Sequence, residues 1–120
     1  MTWGANAQQS PNYALDGSVV FTNNSRWYII ETIESLNGQR CESGQGNFLK
    51  WFSSNAFGGT NYPNTPIGAV SHVEEPFIVG VSDSSRYFGL WVQNKNFAIC
   101  AWNSRITAFF QAVGDPFVMR

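Results

Sequence analysis

The stretch Ile67-Gly68-Ala69-Val70-Ser71-His72-Val73, closed by Glu74-Glu75-Pro76, constrains the fold more than any other part of this 120-residue chain. It reads as a strand, and its small, apolar first half is what a strand covered on both faces requires. Pro76 closes it, since proline cannot donate to a ladder and pushes Glu75 towards an extended conformation. A strand with no wet face needs other elements packed over it, so the rest of the chain is read for what can supply them.

Residues 1–16, rich in Asn, Gln and Ala, read as an irregular lead-in with a short extended piece around Trp3. Ser18-Val19-Val20-Phe21-Thr22 reads as a short strand. Asn23-Asn24-Ser25 offers caps to a helix from about Arg26 to Leu36, with Trp27, Ile30 and Ile33 on one stripe and Asn37-Gly38 as a left-handed end. After a loop from Gln39 to Gly46, Asn47 caps a second helix through Phe48, Leu49, Trp51, Phe52 and Ala56, stopped by Gly58-Gly59. Thr60 to Pro66 is a turn-rich connection into the central strand. Beyond Pro76 a loop is expected. Ser82 or Asp83 then caps a third helix with Tyr87, Phe88, Leu90, Trp91 and Val92 inward, broken near Asn94-Lys95-Asn96. A fourth helix, about Phe97 to Asn103, is apolar almost all round and is expected to be buried. Ala108 to Pro116 reads as an extended segment ending in a turn. The sum is one α/β or α+β domain over residues 1–120: a small sheet of two to four short strands packed by about four helices.

Charged residues make up 12% of the chain and aromatics 16%, against about 25% charged residues in an ordinary soluble domain. Asn, Gln, Ser, Thr and Gly must therefore wet the surface. With a net charge of -1 there is no field to steer a polyanion, so nucleic acid is not an expected partner. No apolar stretch approaches the ~20 residues that span a bilayer, and Met1-Thr2-Trp3-Gly4 lacks the layout of a signal peptide, so no membrane partner is expected.

His72 is the only histidine, so imidazole chemistry rests on it. Glu74, two residues further along the strand, should share its face, and His72, Glu74 and Glu75 together form the candidate ligand-binding group at the strand end. The structural alternative is that His72 packs while both glutamates face solvent. No nucleophile is evident beside the group, and no catalytic residue is assigned. One histidine with scattered carboxylates gives no metal-site spacing, and Gly44-Gln45-Gly46 lacks the third glycine of a dinucleotide motif, so neither metal nor cofactor is expected. Asn23-Asn24-Ser25 is a glycosylation tripeptide, but the same residues serve as a helix cap. The aromatics read mainly as core or subunit interface.

Trp3-Gly4-Ala5-Asn6, the segment Gly68 to Phe77, and the closing Phe110-Gln111-Ala112-Val113-Gly114-Asp115-Pro116 together resemble the C-terminal half of the gingipain-like, caspase-fold bacterial proteins. The resemblance implies half of a caspase-haemoglobinase fold, with Asp115 in a structural terminal turn. In active members of that family a His-Gly pair and a Cys at adjacent strand ends form a cysteine-peptidase dyad. This chain has no His-Gly pair, and Trp3 to Asn6, near the position expected for the Cys, contains none. The departures argue against peptidase activity in this chain.

The leading expectation is a non-catalytic binding or assembly module that forms a homodimer or higher oligomer, because a small sheet under aromatic-rich helices leaves an edge and an apolar face uncovered. The alternatives are a hydrolase built around His72, Glu74 and Glu75, and a carbohydrate-binding module that stacks sugars on Trp3 and Tyr62. Cys41 lies in a glycine-rich loop and Cys100 in the apolar run Phe97 to Trp102, so they are not expected to be bonded to each other. Titration of unfolded, unreduced protein should find two free thiols; finding none would show the disulfide instead.

Overall fold

The computed structural model describes residues 28–41 and 65–120, with Leu49 and Phe52. Its elements are β1 (Ile29–Glu31), β2 (Gly68–His72), α1 (Phe77–Gly80), α2 (Ser84–Val92), α3 (Phe97–Ser104) and β3 (Phe110–Gly114). The strands form a mixed sheet in the order β1-β2-β3, with β1 parallel and β3 antiparallel to β2. This is an α+β arrangement with β2 at its centre. Every residue of β2 is buried, and every residue of β1 as well. The ladder extends past the strand ends through Thr32 N–H to the Val70 carbonyl (3.0 Å) and Val73 N–H to the Phe109 carbonyl (2.8 Å).

Gly68 and Val70 face the helices. Val70 belongs to a core with Ile29, Tyr87, Trp91, Phe97, Cys100 and Ala101, where each large side chain removed from water contributes ~1.5–3 kcal/mol. Gly68 lies opposite Gly114 in the β2–β3 register, and the Phe97 ring occupies the gap that the pair leaves. A Cβ on Gly68 would stand 2.6 Å from two Phe97 ring carbons, and one on Gly114 would stand 2.7 Å from the Gly68 Cα. Gly114 also has φ 152°, outside the range that side-chain-bearing residues favour.

The helix signals are simple ones. Asp83 caps α2, its carboxylate accepting from the Arg86 N–H at 3.0 Å, and Asn96 caps α3 by accepting from the Ile99 N–H at 2.9 Å. Between them Asn94, at φ 60°, takes the left-handed position of a Schellman closure: its N–H bonds the Trp91 carbonyl (3.0 Å) and the Lys95 N–H bonds the Leu90 carbonyl (3.1 Å). The tail after β3 returns to α3, where the Phe97 and Ala98 N–H groups donate to the carbonyls of Val118 and Pro116 at 2.9 and 3.1 Å.

Several expectations are corrected. The segment Arg26 to Leu36, read as a helix, holds β1 and then turns among its described residues; Ile29 and Ile30 are β-branched, and pairing with β2 outweighs the helical spacing of the stripe. Asn37 and Gly38 form a turn after that strand, without a left-handed residue. The loop expected after Pro76 contains the single turn α1. Val92, read as inward, is 56% exposed, since the buried face of α2 is the one that carries Tyr87 and Trp91. Helix α3 is not buried all round: Phe97, Cys100, Ala101 and Ser104 face the core, while Trp102 is 67% exposed.

The described residues thus carry two helices of eight or nine residues and one single turn, against about four helices expected for the whole chain. Leu49 is helical and Phe52 lies in a turn, but the other residues of the predicted second helix, the strand at Ser18–Thr22, the lead-in and the glycosylation tripeptide lie outside the described residues. Cys41 is exposed and Cys100 buried, and both are free. No helix among the described residues is long and apolar enough to cross a membrane.

Gly68→Ala should lower the unfolding free energy by about 1–3 kcal/mol, the usual cost of forcing extra volume into a packed core. A urea midpoint equal to that of the parent protein would mean that the Phe97 ring is not seated in the glycine gap.

Candidate functional site

Because β1 and β2 are parallel, their carboxyl ends open at the same edge of the sheet, the position at which open sheets of this kind hold ligands. The chain leaving β1 folds over that edge. Ser71 points to one face of the sheet, and its hydroxyl donates to Asn37 Oδ1, with the Glu34 carbonyl as a second acceptor 3.3 Å away. Thr32 donates to the same Asn37 oxygen at 2.7 Å. The Gly38 N–H reaches the His72 carbonyl at 2.8 Å, and Gln39 Nε2 reaches the Val73 carbonyl at 2.6 Å. These bonds satisfy buried groups that would otherwise cost ~1–3 kcal/mol each.

His72 points to the opposite face. Its ring is completely buried and stands edge-on to Phe110, with centroids 6.3 Å apart and planes at 78°. Neither ring nitrogen meets a partner at hydrogen-bonding geometry. Burial pushes its pKa below the ordinary histidine value, against smaller upward pulls from the Gly80 backbone and the charge of Glu75.

The expectation that Glu74 shares a face with His72 is corrected. Strand β2 ends at His72 and the chain bends over Val73 and Glu74, so the alternation stops before it can align them. Glu75 is the acid whose charge reaches the imidazole. It is exposed and held at both oxygens: one accepts from the Phe77 N–H at 3.0 Å, the other from the Ser35 hydroxyl. Glu75 therefore fixes the turn that enters α1, and Glu74 stands in solvent.

A second polar group lies under α2, where the Ser82 hydroxyl donates to buried Glu31 at 2.6 Å. The Tyr87 hydroxyl donates to the Ile30 carbonyl at 3.3 Å; burial and then the charge of Glu31 raise its pKa well above the ordinary tyrosine value, so it remains a donor. Cys100 donates to the Lys95 carbonyl at 3.5 Å, and burial pushes its thiol pKa up, which disfavours the thiolate a nucleophile needs. Among the described residues the structure brings no hydroxyl or thiol into a hydrogen bond with the imidazole, and no group of three His, Cys, Asp or Glu is placed to hold a metal ion. Trp3 and Tyr62 lie outside the described residues.

Sequence reasoning missed a groove of about 440 Å³ between α3 and β3. Small residues, Ala98, Ala101, Ala108, Ala112 and Gly114, leave the space, and the rings of Phe97, Trp102 and Phe110 wall it. Arg105 supplies its one charged lining group, and the guanidinium stacks over the Trp102 ring at 4.2 Å. The small residues are spread over α3, the connection after it and β3 without a repeating spacing, so only the packing of α3 against β3 reveals the groove. Set beside known proteins, the chain matches no family model, no curated protein and no solved structure.

The lowered pKa of His72 has a definite sign in stability. The folded state prefers the neutral ring, so stability is complete above the ordinary value of 6.5 and declines as pH falls below it towards the folded-state pKa. Chemical denaturation should show stability falling as pH drops below 6.5, above the carboxylate range near pH ~4, and His72→Leu should remove that slope. Equal slopes in the two proteins would show that the ring is not held neutral.

Proposed function

We propose that this chain is a non-catalytic assembly module, related to the C-terminal half of gingipain-like caspase-fold proteins, that works by associating with a second copy of itself. The observation that carries the reading is the α3–β3 face. It joins the apolar groove to a strand at the edge of the described sheet, and around them Trp102, Ile106, Phe109 and Phe117 are each at least 40% exposed. Aromatic-centred apolar patches of this kind mark association sites, and a charge-poor surface does little to oppose contact.

Two of the three segments that carry the resemblance lie on structurally paired elements. Gly68 to Phe77 covers β2 and the turn into α1, and Phe110 to Pro116 covers β3 and its exit turn. The family-like residues thus build the antiparallel pair beside the groove. The enclosed His72 ring, with no reacting partner at hand, favours a binding role over a hydrolytic one.

Light scattering at micromolar concentration should give twice the 13.4 kDa chain mass, with an interface of more than ~1,000 Å² built around aromatics. A monomeric mass, together with an unfolding midpoint independent of protein concentration, would overturn the reading.

A further inference from the structure

Directly beyond the candidate strand end the chain displays an apolar knob. Phe77, Ile78 and Val79 are 71%, 93% and 86% exposed, three consecutive large apolar side chains on a single helical turn. Soluble surfaces rarely carry such a run without a use for it. The turn is also held in an unusual shape: Phe77 has φ 49°, a region that bulky residues avoid, and Glu75 clamps its N–H while being bound to Ser35. Backbone strain of this kind costs on the order of 1–3 kcal/mol and persists where the surroundings enforce it.

We propose that the Phe77–Val79 turn of one copy inserts into the α3–β3 groove of a second copy, and that two such insertions related by a two-fold axis form the dimer. The inference rests on the assembly reading above and names its contact. Three observations support it. The knob is apolar and compact, and the groove is apolar, floored by small residues and about 440 Å³ in volume, which suits one or two large side chains.

Charge matches as well. Glu74 precedes the knob and has no ion-pair or hydrogen-bond partner among the described residues, while Arg105 at the groove has no carboxylate partner among them. An insertion that brings the knob into the groove brings the acid towards the guanidinium.

The knob and the groove are also neighbours along the packed chain. Gly80, the last residue of α1, packs against Thr107, and the next residue, Ala108, lines the groove. None of the three knob residues lines the groove of its own chain. Two complementary patches side by side can both be satisfied by a two-fold exchange, in which each copy gives a knob and receives one, so the assembly closes rather than growing into a filament.

Two variants separate the parts. In the first, Phe77→Gly, Ile78→Ser and Val79→Ser remove the knob at exposed positions, and glycine suits the φ of residue 77, so folding is retained. In the second, Ala98→Glu and Ala112→Glu, both at exposed positions, block the groove. Sedimentation should show each variant associating at least ~30-fold more weakly than the parent chain, the loss expected when a central apolar anchor is removed. An equimolar mixture should regain a heterodimer held by one insertion. Reversing Glu74→Arg or Arg105→Glu alone should weaken association, and the two together in one chain should restore it.

A parent dimer that the knobless variant forms equally well would overturn this contact and leave the assembly reading standing. A parent chain that stays monomeric would remove both. Saturable binding of dodecanoate to a monomeric parent, lost on Ala112→Glu, would give the groove to a small amphiphile and overturn the exchange.

Discussion

Everything described here leans on β2, a strand with water on neither face. Its residues are small where other backbone or a ring must come close, at Gly68 and Ala69, and larger where a helix can cover them, at Val70 and His72. Such a strand needs partners on both edges and cover on both faces. β1 and β3 take the edges. Helices α2 and α3 cover one face through Tyr87, Trp91 and Phe97, and the segment after β1 closes the carboxyl end of the other through Asn37. The polar residues in this interior are placed as strictly as the apolar ones, since Ser71, Thr32 and Ser82 each find an acceptor. The His72 nitrogens are not matched in this way, and the cost of burying them falls on the neutral ring rather than on a cation.

How much of this was legible in the residues depended on whether the deciding interaction was local. Caps and breaks are local, so Ser82 or Asp83 marked the start of α2, the break at Asn94-Lys95-Asn96 separated it from α3, and Pro76 marked the end of the strand before it. The terminal extended segment, with its Gly-Asp-Pro exit, was legible for the same reason. β1 was not, because Trp27, Ile30 and Ile33 fall at helical spacing and only pairing with Gly68 to Val70, far along the chain, decides otherwise. The apolar sequence of α3 predicts cover all round, whereas the sheet and α2 cover only the side that carries Phe97, Cys100, Ala101 and Ser104.

The candidate site was legible in outline and not in detail. A histidine and two glutamates before a proline at a strand end could be picked out by eye. Which glutamate neighbours the ring depended on where the strand stops, and that is set by the bend and by the bond from Gln39 to the Val73 carbonyl. The groove was illegible for a different reason: alanines carry no pattern of their own, and a gap is a property of two surfaces rather than of either.

The distances in sequence between bonded elements also imply an order of events in folding. Helices α2 and α3 form a hairpin closed by the Asp83 N–H and the Ser104 carbonyl at 2.8 Å, and the β2–β3 pair encloses that hairpin. The contact of β1 with β2 at Ile29 and Gly68 and that of β2 with β3 at His72 and Phe110 span similar lengths of chain. The helical hairpin, once formed, shortens the second loop, so closing β1 onto β2 carries the larger loss of chain entropy. The helical hairpin and its antiparallel frame therefore assemble ahead of β1. Until β1 arrives, the inner strand of the finished sheet is an outer one, with its amides and carbonyls open to any extended segment that reaches them first. During synthesis or refolding at high concentration, that interval is when this chain is most exposed to pairing with the wrong strand.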